Sequence, residues 1–237
     1  MSENRIDKYK NKLKEIQSKR SQFWQPEEGN NLIRILPGLT PSDDFYLEAN
    51  VHYIKGMGDQ GRATSVKCLG DDCAVCEAVS RLESSDDPDD QLAAKDARTV
   101  STFYMNIVDL NKIEAGTIVW RVSSSQVMTS LLEALVDPEW GDFAHPEKGR
   151  NIKIRMEKRG GARAYDVSLK PKESSIDPSF LKKRKNLNQF VPSSDAKFIR
   201  KAAEFLGGGS SQREDDEDYQ SAKSSVKKPF LKKKLLK

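Results

Sequence analysis

Apolar and polar positions alternate along the middle of the chain, the mark of half-buried strands. NLIRIL (31–36) predicts a short strand that Pro37–Gly38 ends. In FYLEANVHYIKG (45–56), Phe45, Leu47, Val51 and Tyr53 share one face, and Tyr46, Glu48, Asn50 and His52 take the other. TFYMNIVDL (102–110) and GTIVWRVS (116–123) predict two strands joined by a turn. There Phe103 and Trp120 share parity with Met105, Ile107, Ile118 and Val122, so they are expected in the core, with Tyr104 and Arg121 facing outward. The last alternation is NIKIRMEKR–GG–ARAYDVSLK, a hairpin with Ile152, Ile154 and Met156 on one face and Lys153 and Arg155 on the other. Gly160–Gly161 supply the positive φ that its tight turn requires.

Helical spacing is sparser. Residues 3–20 place Ile6, Tyr9, Leu13 and Ile16 three or four apart, an amphipathic basic arm. Residues 73–83 and 89–98 predict two short helices around an acidic turn, and 125–137 a third. Residues 195–206 predict a last helix, capped by Ser194 or Asp195. The expected class is mainly β with helical additions: an OB-fold five-stranded barrel with an insertion, although another small β-barrel fits the same strand count. The expected domains are an arm (1–20), a core (21–206) with a subdomain at about 52–98, and a linker and tail (207–237) expected to be disordered.

Charge sharpens this picture. The 237 residues are 36% hydrophobic and 32% charged, with a net charge of only +4. The excess is segregated: residues 148–172 carry nine Lys and Arg against Glu157 and Asp166, which suggests a polyanionic partner. Acid collects at ESSDDPDD (83–90) and at Glu214, Asp215, Asp216, Glu217 and Asp218, ahead of the lysine-rich end KKPFLKKKLLK. The N-terminus lacks the apolar stretch of a secretory signal and the apolar runs are short, so a cytoplasmic location is expected.

Cys68, Cys73 and Cys76 are the only cysteines of the chain. Their spacing matches the first three ligands of a [2Fe–2S] loop whose fourth cysteine is missing. Zinc accepts mixed sulfur and nitrogen ligands, and only His52 and His145 can supply the nitrogen. His52 lies on the strand just ahead of the cluster, whereas His145 is far downstream before Pro146, which favours His52. Four filled positions leave no water site, so the expected zinc is structural. With two histidines and no phosphate-cradling glycine loop, catalysis has little material.

Aromatics adjoin cations at Tyr53–Lys55, Trp120–Arg121 and Arg163–Tyr165, and Phe103–Tyr104 adds an aromatic pair. Stacking combined with phosphate neutralisation is how sequence-tolerant single-strand binders work. FWQPEEGNNLIRILPG, VHYIKG, the three cysteines, YMNIVDL and GRNIKIRMEKRGGARAYDVSLKP together resemble the zinc-containing single-stranded DNA-binding proteins of T4-like phages over roughly residues 20–175. The resemblance implies an OB-fold core with a structural zinc on His52, Cys68, Cys73 and Cys76. It also implies an N-terminal arm for self-association along DNA and an acidic tail that recruits replication, recombination and repair proteins. Two departures stand out: Cys68 and Cys73 are closer than in that family, and the tail ends basic rather than acidic.

The expected DNA contacts are Arg34, Tyr53, Lys55, Arg62, Lys67, Tyr104, Arg121, Lys153, Arg155, Lys158, Arg159 and Arg163. The alternatives are a zinc-stabilised adaptor of a replication or transcription complex, with nucleic acid incidental, and a metal-dependent nuclease.

Overall fold

A computed structural model describes Tyr9 and residues 23–160 and 162–208. The predicted helix over 3–20, apart from Tyr9, and the tail from 209 lie outside the described residues. The chain divides into two compact units, one built from residues up to Val51 and from Thr99–Ser193, the other from His52–Arg98 and from Ser194 onward.

The first unit is mainly an antiparallel sheet. Its strands are β1 (Gly29–Ile35), β2 (Tyr46–Ile54, as far as Val51), β4 (Val100–Asp109), β5 (Thr117–Val122), β6 (Arg150–Arg159) and β7 (Ala162–Glu173). With β3 (Thr64–Lys67) the strand order is β3-β2-β4-β1-β6-β7, an open path from which β5 branches off β4. The long β4 pairs β2 through Val100–Met105 and β1 through Ile107–Asp109, so two strands share one of its edges. Alternation fixes the β6–β7 register: Ile152, Ile154 and Met156 are buried, while Arg159 pairs Ala162 beside Gly160, whose φ is +57°. Ile33, Ile35, Met105, Ile107, Trp120, Ile152 and Ile154 form the core with Val127, Met128 and Leu131 of the helix Ser125–Val136. Trp24 meets Trp120 edge-on at 5.3 Å and donates its indole N–H to Asp109 Oδ2 at 2.8 Å.

The outer face of β4 and β5 departs from the period-two expectation. Tyr104 is fully buried, as are Val108 and Val119 of the same face. The cover is residues 178–190, a helical turn (Pro178–Lys182) followed by a 3-10 turn (Leu187–Phe190), joined by Phe23. Asn106 clamps the segment reciprocally, donating to Lys185 O and accepting from Lys185 N, both at 2.9 Å. Thr117 Oγ1 donates to Phe180 O at 2.9 Å. The outward Tyr104 is therefore corrected: a segment with no clear sequence pattern lies over it.

Arg34 is corrected for a related reason. Its residue is 2% exposed, and its guanidinium donates to His145 O at 2.9 Å, Ser174 O at 2.8 Å and Ser174 Oγ at 3.1 Å. It ties β1 to the loop before β6 and to the chain leaving β7. Gly149 makes the fit possible, since a Cβ there would meet Arg34 Nη2 at 2.3 Å and the His145 carbonyl oxygen at 2.4 Å.

In the second unit the end of β2 pairs with β3. Its helices are α1 (Ala74–Glu83), α2 (Pro88–Ala97) and α5 (Ala196–Gly207), with Ser125–Val136 being α3 and Pro178–Lys182 α4 in chain order. Ile54, Val66, Val75, Ala78, Val79, Ala94, Ala97, Ile199 and Ala202 make a small core of their own. Asp87 caps α2 by accepting from Asp89 N at 2.8 Å, with Pro88 at the first position, and Asp195 caps α5 by accepting from Lys197 N at 3.0 Å. Among the described residues no helix is long and apolar enough to cross a membrane.

Candidate functional site

The second unit brings His52, Cys68, Cys73 and Cys76 together, with one ligand atom from each lying within 4.8 Å of all the others. His52 comes from the end of β2, Cys68 follows β3, Cys73 is the N-cap of α1 and Cys76 lies in its first turn. Gly70, at φ +76°, lets the chain double back between Cys68 and Cys73.

The distances suit one tetrahedral ion. His52 Nε2 lies 3.5 Å from Cys73 Sγ and 3.4 Å from Cys76 Sγ, and Cys68 Sγ lies 3.5 Å from Cys76 Sγ. Bonds of about 2.3 Å to sulfur and about 2.0 Å to nitrogen would set ligand atoms about 3.5–3.8 Å apart. The tautomer fits as well. His52 Nδ1 is 2.8 Å from the Ala97 carbonyl, which can only accept, so Nδ1 carries the proton and the Nε2 lone pair faces the sulfurs. Burial lowers the pKa of His52, partly offset by the Ala97 carbonyl, and so favours the neutral ring that a metal needs. Burial alone would push the Cys73 thiol up. Backbone hydrogen bonds at Leu69, Cys76 and Val75 outweigh it and hold the thiol below its ordinary value. The cluster can hold a metal ion through four protein ligands, which leaves no open position for substrate.

The expected DNA contacts divide between the units. In the second, Tyr53 and Lys67 are half-buried, Arg62 is exposed beside Gln60, and Lys55 pairs with Asp96 at 2.6 Å. In the first, Lys153 is half-buried while Arg155, Lys158, Arg159 and Arg163 are exposed along β6 and β7. Arg155 and Arg159 both reach Glu157, at 2.7 and 2.9 Å, and Lys158 pairs Glu28 at 3.5 Å. Arg163 donates to Gln25. Arg159, then Arg155, hold the Glu157 carboxyl below the usual carboxylate range. Exposed pairs of this kind contribute about 0–1 kcal/mol, so a phosphate can replace the carboxylate at small cost. Arg34 and Tyr104 are withdrawn from the surface, as described above. The acidic positions Glu214–Asp218 lie outside the described residues.

Around the expected contact Arg121, three side chains escaped the sequence reading: Phe23, Lys185 and Phe190. Arg121 stacks over Phe23 at 4.4 Å, Phe23 meets Phe190 edge-on at 5.9 Å, and Lys185 lies 5.8 Å from the Phe190 ring. Phe23 opens the folded core and Phe190 ends a polar run, so neither stands on an alternating strand whose face could have been read.

A mainly antiparallel β domain with a compact His–Cys cluster and a cationic hairpin has the make-up of a binding protein. The family described as gp32 DNA binding protein like matches residues 27–207, and the chain belongs to that family. No curated protein matches the chain.

Proposed function

We propose that the protein binds single-stranded DNA with little sequence preference and protects it during phage DNA replication, recombination and repair, without catalysis. The observation that carries this reading is the β6–β7 hairpin, which presents Arg155, Lys158, Arg159 and Arg163 to solvent in a chain of a DNA-binding family. Phosphates would exchange with Glu157 and Glu28 as partners of these cations, releasing counterions from the strand. Half-buried rings such as Tyr53 and Phe190 would stack on bases. Arg62, Lys67 and Lys55 are further phosphate contacts on this reading.

Zinc is the ion that best suits three thiolates and one neutral imidazole, and its role would be to fasten the β3–α1 loop. An OB-type barrel is supported by the parallel bridge between Trp24 and Trp120, which returns the chain entering β1 to the free edge of β5. Copies would associate along the strand, the tail would recruit replication and recombination proteins, and the site of action would be the host cytoplasm.

An oligonucleotide titration at two salt concentrations tests the reading. Counting only Arg121, Lys153, Arg155, Lys158, Arg159 and Arg163 of the first unit as phosphate contacts, affinity should fall at least about 300-fold between 50 and 200 mM salt, the slope of log affinity against log salt being about 0.7 per contact. Equal affinity for duplex and single strand would sink it. Run beside a chelator, the titration should show the melting temperature falling before affinity does.

A further inference from the structure

DNA binding leaves one cleft of the first unit without a role. From Val122 to Glu147 the chain carries Glu133, Asp137, Glu139, Asp142 and Glu147 and no lysine or arginine, and the loop before β2 adds Asp43 and Asp44. Of these acids Asp43, Asp44 and Asp142 line a cleft of about 520 Å³, together with Leu39, Phe45, Leu135 and Leu181.

Two basic side chains also line it, both engaged by main-chain groups, and the one fixed positive charge, on Arg184, faces three carboxylates. Arg184 is spent on the carbonyls of Pro37 and Gly38. His145 Nδ1 accepts from Glu147 N and Lys148 N, both at 3.1 Å. Apolar surface is open here as well: Leu39, on the lining, is 45% exposed. An apolar floor with a carboxylate rim repels phosphate and suits a segment that interleaves lysine with large apolar side chains.

The chain itself contains such a segment. Residues 227–237, KKPFLKKKLLK, carry six lysines with Phe230, Leu231, Leu235 and Leu236, and no acid occurs between Gln220 and Lys237. Residues 209–226 link it to the end of α5, and at about 3.3 Å per residue that length spans up to about 60 Å, enough to reach another molecule. We propose that residues 227–237 of one copy dock in the acidic cleft of a second copy. Such a contact is heterologous, so it repeats from copy to copy instead of closing on itself.

Self-association without DNA reads this directly and does not rest on the single-strand reading. In sedimentation velocity at low salt, the full chain should associate in a concentration-dependent way. Asp44→Lys, and separately Lys232→Glu/Lys233→Glu/Lys234→Glu, should each weaken association at least tenfold, and all four changes in one chain should restore most of it. A peptide of residues 219–237 added in excess should compete. Asp44 is exposed and the lysines lie in the tail, so unchanged melting curves will certify the fold. The proposal is overturned if Asp44→Lys leaves association unchanged, or if removing residues 1–20 abolishes it while the lysine changes do not. It is equally overturned if the lysine changes lower oligonucleotide affinity and leave association intact, which would assign the segment to DNA.

Discussion

Replacing Arg34 separates a buried structural arginine from a phosphate contact. Arg34→Met keeps the length of the side chain and removes the guanidinium, which takes from the Ser174 carbonyl its donor at 2.8 Å and leaves the His145 carbonyl with its bond from Gly149 N at 2.9 Å. An acceptor left without its donor costs about 1–3 kcal/mol, so the loss is about 2 kcal/mol. That is a sizeable share of the roughly 5–15 kcal/mol that holds a domain together. At about 2–4 °C per kcal/mol for a chain of this size, the melting temperature should drop by about 6 °C. Burial holds the guanidinium below its ordinary pKa, partly offset by the charge of Asp142, so removing it also relieves some desolvation cost and the drop is an upper bound. The second measurement is oligonucleotide affinity over a salt series, well below the melt. Because Arg34 is 2% exposed, the slope of log affinity against log salt should match the parent chain. A slope shallower by about 0.7 would mean that a phosphate contact had been lost, and would refute the structural reading of this residue.

Lys158→Ala/Arg159→Ala/Arg163→Ala should do the reverse, weakening oligonucleotide binding and reducing the salt slope by about 2 while the melting temperature stays nearly constant, since all three side chains are exposed. Asp195→Ala removes the acceptor for Lys197 N at the start of α5 and should cost about 1 kcal/mol in a denaturant titration. The pH dependence of the chelator-treated chain follows from His52. Its folded pKa lies below the ordinary 6.5, so the stability it contributes is complete above pH 6.5 and is lost as pH falls below that value. Melting curves taken downward from pH 7 should show this decline, and a His52→Gln variant should lack it.

The elements legible in the sequence are those in which local chemistry and burial agree. Asp87–Pro88 marks the start of α2 because the carboxylate and the proline each suit a helix N-terminus without help from tertiary contacts. Ile152, Ile154 and Met156 alternate with polar neighbours because β6 has one dry face. Tyr104 was not legible, because β4 is dry on both faces from Tyr104 to Val108 and a period of two then no longer tells inside from outside. Its cover is held largely by main-chain groups, Lys185 N and O and Phe180 O, which leave no signature in side-chain pattern. Arg34 misled for the same reason: its partners are carbonyls of residues more than a hundred positions away. β3 is four residues long with Val66 its one fully buried member, too short for alternation to register.

β2 shows how one strand serves two cores, and that explains the position of His52. Through Val51 the buried positions are Phe45, Ala49 and Val51, all of one parity, as a strand with one wet face requires. At His52 the parity changes: His52 and Ile54 are buried, at 1% and 0% exposure, while Tyr53 between them is only half-buried. Ile54 belongs to the core of the second unit, with Val66, Val75 and Ala97. A histidine on the polar face of an amphipathic strand is thereby carried into a dry site, where the Ala97 carbonyl fixes its tautomer and Cys73 and Cys76 of α1 face its free nitrogen. Alternation placed His52 on the face opposite the apolar one, and the second core turns that outward residue into a preorganised ligand.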